Sequence, residues 1–595
     1  MTSRELQRLE RQSAAKIAAA VSAGSTSAVA VAGEALARIA AYDGIQPQIW
    51  ISRASRADVL AAAHAVDARI AAGEVLPLAG VPYAAKDNID VAGLQTTAAC
   101  PAFAYRPDAS AGVTERLAAA GAICLGKTNL DQFATGLVGV RSPYGVPRNA
   151  YNLAYVSGGS SSGSSIVVAA GLVPFALGTD TAGSGRVPAA FNHLIGFKPT
   201  KGRWSTRGIV PACRSIDCVT VFTSDTADAA LVDHVIAGFD PADPWSKPLA
   251  DRALTPKRVG VPRRSQRQWF GDADSEFMYE RALRHLGTLA ELVEIDIAPL
   301  QEAAQLLYGG PWVAERTAAI AKLLTENPDA VDPTVRAVVV AGWNKTAVET
   351  FQGIYRLAEL KRHADILWES LDALAFPTTG TTYRIAELAA APIALNSNLG
   401  AYTNFVNLLD MAALAIPAGT RPNATGFGIT LIGPADTDRA LLSLADAYLA
   451  KARLAPPPPL DLEGKMQTVK LAVVGAHLKD MPLHWQLTSR GASFVEATQT
   501  APCYRLYAMA DSVPPKPALV HSAEGGAAIA VEVYELGLAE FGSFVVEVPA
   551  PLAIGTVTLA DGTSVKGFVA EPRALTGAED ITHLGGWRAF IAQKS

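Results

Sequence analysis

Apolar positions along this chain follow two rhythms. Residues 61–72 form an alanine-rich stretch with helical spacing, and residues 114–120 repeat that spacing. Residues 122–125 are instead a short unbroken apolar run of the kind a buried strand makes. The alternation of the two predicts an α/β domain with a mixed sheet covered by helices. Four consecutive prolines at 456–459 then form a stiff, extended spacer that can neither continue a helix nor donate ladder hydrogen bonds. The expected division is a catalytic domain over residues 1–455, a linker over 456–465 and a second domain over 466–595. In that last part, residues 469–474, 527–534 and 543–548 are short and rich in β-branched residues, with Gly and Pro between them, which predicts a small β-rich domain. No period of solenoid or propeller length recurs.

Length and composition narrow the function. The 595 residues exceed what one core usually organises, and with half of them apolar and 18% charged the chain is expected to fold compactly. A net charge of -5 offers no general attraction to nucleic acid phosphates or anionic lipid, so a small-molecule substrate is expected, with neither nucleic acid nor membrane as partner. Residues 166–178, the most apolar stretch, are interrupted by Gly171 and Pro174 and fall short of the roughly 20 residues of a membrane span. Charges at Glu5, Arg8, Glu10 and Arg11 suit a surface helix rather than a signal peptide, so a cytoplasmic location is expected. The five cysteines are too few, and odd in number, for a disulfide framework. Cys213 and Cys218 lack a matching pair at zinc spacing, and neither a metal nor a cofactor is expected.

Two motifs compete for the chemistry. GAICLGKT at 121–128 fits the phosphate-loop pattern, but residues 114–120 before it read as a helix and residues 122–125 within it as a buried strand, which leaves no free backbone N–H cradle for an anion. GSSSG at 159–163 fits a nucleophile elbow centred on Ser161, with His193, His234, His285 or His363 as downstream partners. That motif needs a strong strand before it, and residues 151–156 make a weak one.

Three further segments carry more weight together: Lys86 in GVPYAAKDNID, SGGSSSGSS at 157–165, and GTDTAGSGRVPAA at 178–190. With GKTNLDQFATG at 126–136 and GFKPTKGR at 196–203, they resemble the amidase-signature family over most of residues 25–450. The resemblance implies a serine hydrolase in which Ser184 is the nucleophile, Ser160 a proton relay with a cis peptide bond, and Lys86 the base. A serine hydroxyl is a poor nucleophile until a neighbour removes its proton, and lysine can do so only when neutral, so Lys86 should be buried. The resemblance also assigns the backbone N–H groups of Thr181, Ala182, Gly183 and Ser184 to the developing oxyanion. The family commonly has glycine at the position of Ala182 and isoleucine at that of Gly185, a departure that narrows the subfamily.

Within the family, DQFATGLVG at 131–139, which includes Gly136 as a substrate-binding position, and TAGSGRVPAA resemble the allophanate hydrolases, including the hydrolase part of urea amidolyases. This implies hydrolysis of allophanate to ammonia and carbon dioxide through N-carboxycarbamate, by a homodimer. Allophanate is a urea bearing a carboxylate, so its pocket needs a cation able to grip a planar anion. LYGGPWVAER at 307–316 supplies Tyr308 and Arg316. Pro311 suits the first turn of a helix, which leaves Tyr308 on the entering loop. A malonamide-type or other small-amide amidase, or an amidotransferase glutaminase-like subunit, would share the triad but not residues 460–595. Those residues, with VVGAHLKDMPL at 473–483 and TAPCYRLYAM at 500–509, resemble a γ-glutamylcyclotransferase-like domain. They offer His477, His484 and Glu532 as a possible second site, or else a binding or assembly role.

Overall fold

The alanine-rich stretch folds as the helix Arg56–Ala71, opened by Ser55, whose hydroxyl accepts the Asp58 N–H, and buried along Val59, Ala63 and Val66. The structure, a computed structural model, describes residues 11–253, 255–455, 457–462, 468–490, 492–510 and 512–594. The helix expected around Glu5, Arg8 and Glu10 lies outside the described residues, as do Pro456 and residues 463–465 of the expected linker. The chain divides into two compact units, Met1–Leu462 and Glu463–Ser595.

The first unit is built on an eleven-stranded mixed sheet. Its strands are β1 (Trp50–Arg53), β2 (Pro82–Lys86), β3 (Ile123–Thr128), β4 (Phe175–Asp180), β5 (Ile195–Lys198) and β6 (Cys218–Thr223), then β7 (Arg258–Pro262), β8 (Glu291–Ile295), β9 (Ala373–Pro377), β10 (Met411–Thr420) and β11 (Gly426–Pro434). The order across the sheet is β1-β3-β2-β4-β6-β5-β10-β11-β9-β7-β8. One pairing matters most for the site. β2 lies between β3 and β4 and runs parallel to both, so the C-terminal ends of all three strands emerge at the same edge. That edge receives Lys86, Lys127 and Asp180. The central strands are buried on both faces, which accounts for unbroken apolar runs where a half-exposed sheet would alternate.

The serine-rich segment folds as the helix Ser162–Ala169, buried throughout. Small residues let it approach the sheet, and each hydroxyl finds an acceptor: Ser162 donates to Asn129 O, Ser164 to Leu177 O and Ser165 to Ser162 O. The phosphate-loop pattern is indeed a strand, β3, preceded by the helix Gly112–Ala119.

The second unit holds a five-stranded and a three-stranded sheet. Residues 469–474 and 527–534 fall largely within the strands Thr468–Val473 and Ala530–Gly537, which pair antiparallel. Residues 543–548, read as a strand, instead complete the helix Leu538–Val546 and the turn after it. Phe541, Phe544 and Val548 recur at helical spacing and pack on the unit's core, and that period overrides the β preference of the valines.

Candidate active site

Lys86 ends β2 with no exposed surface. Its ammonium donates to Ser160 Oγ at 2.7 Å and to Thr179 Oγ1 at 2.9 Å. Thr179 lies on β4, the parallel neighbour of β2, and Ser160 lies just before the buried serine helix. Burial lowers the Lys86 pKa to about 7, because the low-dielectric site penalises the cation more than the carboxylates of Asp131, Asp180 and Asp217 favour it. The Gly159–Ser160 peptide bond is cis.

Ser184 follows β4 and is 2% exposed. Its loop is wound around Asp180, whose carboxylate accepts the N–H groups of Gly183 at 2.9 Å and Gly185 at 3.0 Å. Arg186 returns to the same carboxylate with two bonds, at 2.9 and 3.0 Å, and also reaches Thr403 O. Gly183 adopts φ +136, and a Cβ there would stand 2.5 Å from Thr403 Oγ1, so the turn requires glycine. The Ser184 hydroxyl makes no hydrogen bond among the described residues. The four backbone donors expected for an oxyanion divide. The Gly183 N–H is committed to Asp180, whereas those of Thr181, Ala182 and Ser184 meet no acceptor among the described residues.

Ser161, the centre of the elbow pattern, is buried with its hydroxyl donated to Thr179 O at 3.2 Å. Among the described residues no histidine contacts it, and His193 instead packs edge-on against Tyr151.

Tyr308 and Arg316 come together. Pro311 caps the helix Trp312–Glu326, Tyr308 lies in the turn before it, and Arg316 sits just over one turn in. The guanidinium carbon lies 5.0 Å from the centre of the Tyr308 ring, Nη2 reaches Tyr308 OH at 3.4 Å, and Nη1 donates to Thr135 Oγ1 at 3.1 Å. Arg316 is 2% exposed, yet no carboxylate lies within ion-pair distance among the described residues and its Nε has no partner. Gly136 follows Thr135, and a Cβ there would stand 2.5 Å from Asp131 Oδ2. Asp131 in turn holds the segment by accepting the N–H groups of Gly139 and Arg141, both at 2.9 Å.

Residues 31–442 match the amidase family, and residues 469–592 match the allophanate hydrolase C-terminal domain. The chain belongs to the amidase family. This amidase is 44% identical over 571 residues to the urea amidolyase of Saccharomyces cerevisiae, an alignment covering 91% of the chain but only 31% of that protein's length. The solved structure of Kluyveromyces lactis allophanate hydrolase matches it with a TM-score of 0.67 and 41% identity, covering 92% of this chain and 94% of that one. The native peptide amidase of Stenotrophomonas maltophilia, also a solved structure, matches with a TM-score of 0.66 and 27% identity, covering 76% of this chain and 100% of that one.

In the second unit of this amidase the three candidate residues do not share one cavity. His477 stacks on Phe568 at 5.0 Å, bonds Gln486 at 2.8 Å, and lines a cavity of about 250 Å³ with Gly475 and Lys516. Glu532 lies elsewhere, and its oxygens accept from Arg588, the Lys479 N–H and Tyr534 OH, which hold its carboxyl below the usual range against the effect of burial. His484 reaches the same Tyr534 OH at 3.2 Å.

Sequence reasoning missed Thr179, Asp180, Arg186 and Asp217. Asp180 and Arg186 lie inside the quoted GTDTAGSGRV segment, and their separation by six residues around a glycine turn is the one local signal. No helix among the described residues is long and apolar enough to cross a membrane.

Proposed function

We propose that this amidase hydrolyses allophanate, with Ser184 as nucleophile, Ser160 as relay and Lys86 as base. Ser184 Oγ attacks the terminal amide carbon as its proton passes to Ser160, which gives its own to neutral Lys86. The resulting oxyanion is met by the N–H groups of Thr181, Ala182 and Ser184, the donors left free by the winding of the loop around Asp180. Collapse expels ammonia, protonated by the reverse path, and leaves an acyl ester on Ser184. Water then attacks that ester with the same base and releases N-carboxycarbamate, which loses carbon dioxide.

The observation that carries the substrate assignment is Arg316. A buried cation with no carboxylate at ion-pair distance among the described residues is costly, and its fork beside Tyr308 matches a planar carboxylate. The relatedness to proteins named allophanate hydrolase and urea amidolyase supports the same reading. A glutaminase-like role would leave residues 469–592 without a function. For the second unit we assign His477, whose cavity also holds Lys516, to the dianionic N-carboxycarbamate, rather than His484 or the fully bonded Glu532. A homodimer and a cytoplasmic location complete the reading, on the family resemblance. Ammonia release from allophanate, malonamate and a neutral amide, measured in parallel, tests the assignment. Preference for allophanate is expected, and a preference for the neutral amide contradicts it.

A further inference from the structure

Between the loop that carries Ser184 and the helix that carries Arg316 lies one short turn, residues 212–217, bonded to both. At one end Asp217 accepts the Thr181 hydroxyl at 2.5 Å. The same carboxylate closes the turn on itself, accepting the N–H of Ala212 at 2.8 Å and that of Cys213 at 3.2 Å. Asn407 adds a second tie, donating to Asp180 O at 2.7 Å and to Ile216 O at 3.0 Å. At the other end Glu315, the residue before Arg316, grips Ser215 twice: the backbone N–H donates to Oε1 and the hydroxyl to Oε2, both at 2.7 Å. The Cys213 thiol donates to Trp312 O at 3.5 Å. One small apolar cluster unites the three segments, with Ala182 from the Ser184 loop, Cys213 and Ile216 from the turn, and Leu307 and Trp312 beside Arg316.

These bonds are short and mostly buried, and charged acceptors make several of them strong. The gap between the loop and the helix is therefore fixed by the turn rather than left to the substrate. We propose that the 212–217 turn is a ruler that sets the distance from the acyl carbon at Ser184 to the carboxylate at Arg316, and so selects amides whose carboxylate stands one atom from the reacting carbonyl. The proposal rests on the roles assigned above to Ser184 and Arg316. Allophanate and malonamate have that one-atom spacing, whereas succinamate has one methylene more. Glu315 and Ser215 are positioning residues: they act through the turn and the helix, and neither is assigned a contact with substrate.

The test compares kcat/KM on malonamate, succinamate and acetamide for the full-length enzyme and for Glu315→Ala, Glu315→Gln and Ser215→Ala, with thermal melting to confirm the fold. The wild type should prefer malonamate to succinamate, and Glu315→Ala should lower that ratio about tenfold, the scale expected when a reacting group is displaced by less than an ångström. Turnover of acetamide, which does not reach Arg316, should change by less than about threefold, since its proximity to Ser184 is unaltered. Glu315→Gln keeps two polar atoms for Ser215 and should recover most of the ratio. Ser215→Ala loses one of the two bonds and should fall between, and it decides the question alone if Glu315→Ala does not fold. An unchanged ratio in a folded variant, or equal losses on all three amides, overturns the ruler while leaving the site assignment standing. A wild type that does not prefer malonamate to acetamide overturns both.

Discussion

Lys86 ends β2 and Lys127 is the last residue but one of its parallel neighbour β3, both without exposed surface, and their surroundings differ in the carboxylate beside one of them. Lys127, on β3, forms an ion pair with Asp87 at 3.0 Å and donates to Thr96 Oγ1. Lys86, on β2, hydrogen-bonds among the described residues only to hydroxyls, those of Ser160 and Thr179, and the carboxylates of Asp131, Asp180 and Asp217 act from beyond ion-pair distance. Burial alone therefore does not make a base. A buried lysine whose bonded neighbours are hydroxyls can be neutral near pH 7, as the lowered pKa of Lys86 allows, and is then able to accept a proton from the Ser160 hydroxyl it bonds. Arg316 is a third case. It is buried like the lysines and has no carboxylate at ion-pair distance among the described residues, with Asp217 and Glu315 acting on it from farther away, but it cannot deprotonate, and in the proposed reading the substrate carboxylate supplies the close anion.

The largest effect expected is on turnover. Ser184→Ala should lower kcat by at least about 10^4-fold, because members of such a unit fail together, and Lys86→Met should approach the same loss. Ser161→Ala should cost about 1 kcal/mol of stability for its bond to Thr179 O and keep most of the activity. The reverse result, a dead Ser161→Ala beside an active Ser184→Ala, would restore the nucleophile-elbow reading.

The second effect sharpens the contrast between the lysines. Lys127→Met leaves the Asp87 carboxylate buried and unpaired and should destabilise the protein by about 3–5 kcal/mol in chemical denaturation. Lys86→Met removes a group that forms no ion pair among the described residues and should cost far less stability while abolishing activity. Equal destabilisation by the two substitutions would mean that Lys86 serves the fold in the way Lys127 does.

The third effect is graded. In the proposed mechanism Lys86 can serve as the base only when neutral, and its pKa is lowered to about 7, so kcat/KM should fall as pH drops below about 7 and level off above it. An acid limb that persists unshifted in Lys86→Arg residual activity would assign the titration to another group.

Much of this was legible in the sequence where the signal was local. The run into residues 122–125 separated a strand from a phosphate loop, and Pro311 marked the helix start that leaves Tyr308 in the turn before it. Lys86 and Ser160 could be paired only through the family resemblance, since 74 residues separate them. The bonds from Thr181 to Asp217 and from Ser215 to Glu315 span 36 and 100 residues and leave no periodicity behind. The commitment of the Gly183 N–H to Asp180 depends on how the loop winds, which composition does not encode. In the second unit the valines at 545, 546 and 548 favour a strand by local preference, and the spacing of Phe541 and Phe544 against the core decides for a helix.

The most direct test of the account is the kinetics of Arg316→Met on allophanate and on a neutral amide of similar size. A charge-assisted contact of this kind contributes on the order of 1.5–3 kcal/mol, so kcat/KM for allophanate should fall about 10- to 100-fold, mainly through KM, with the neutral amide nearly unaffected. Equal losses on both substrates would contradict the assignment of Arg316 to the carboxylate and, with it, the proposed substrate.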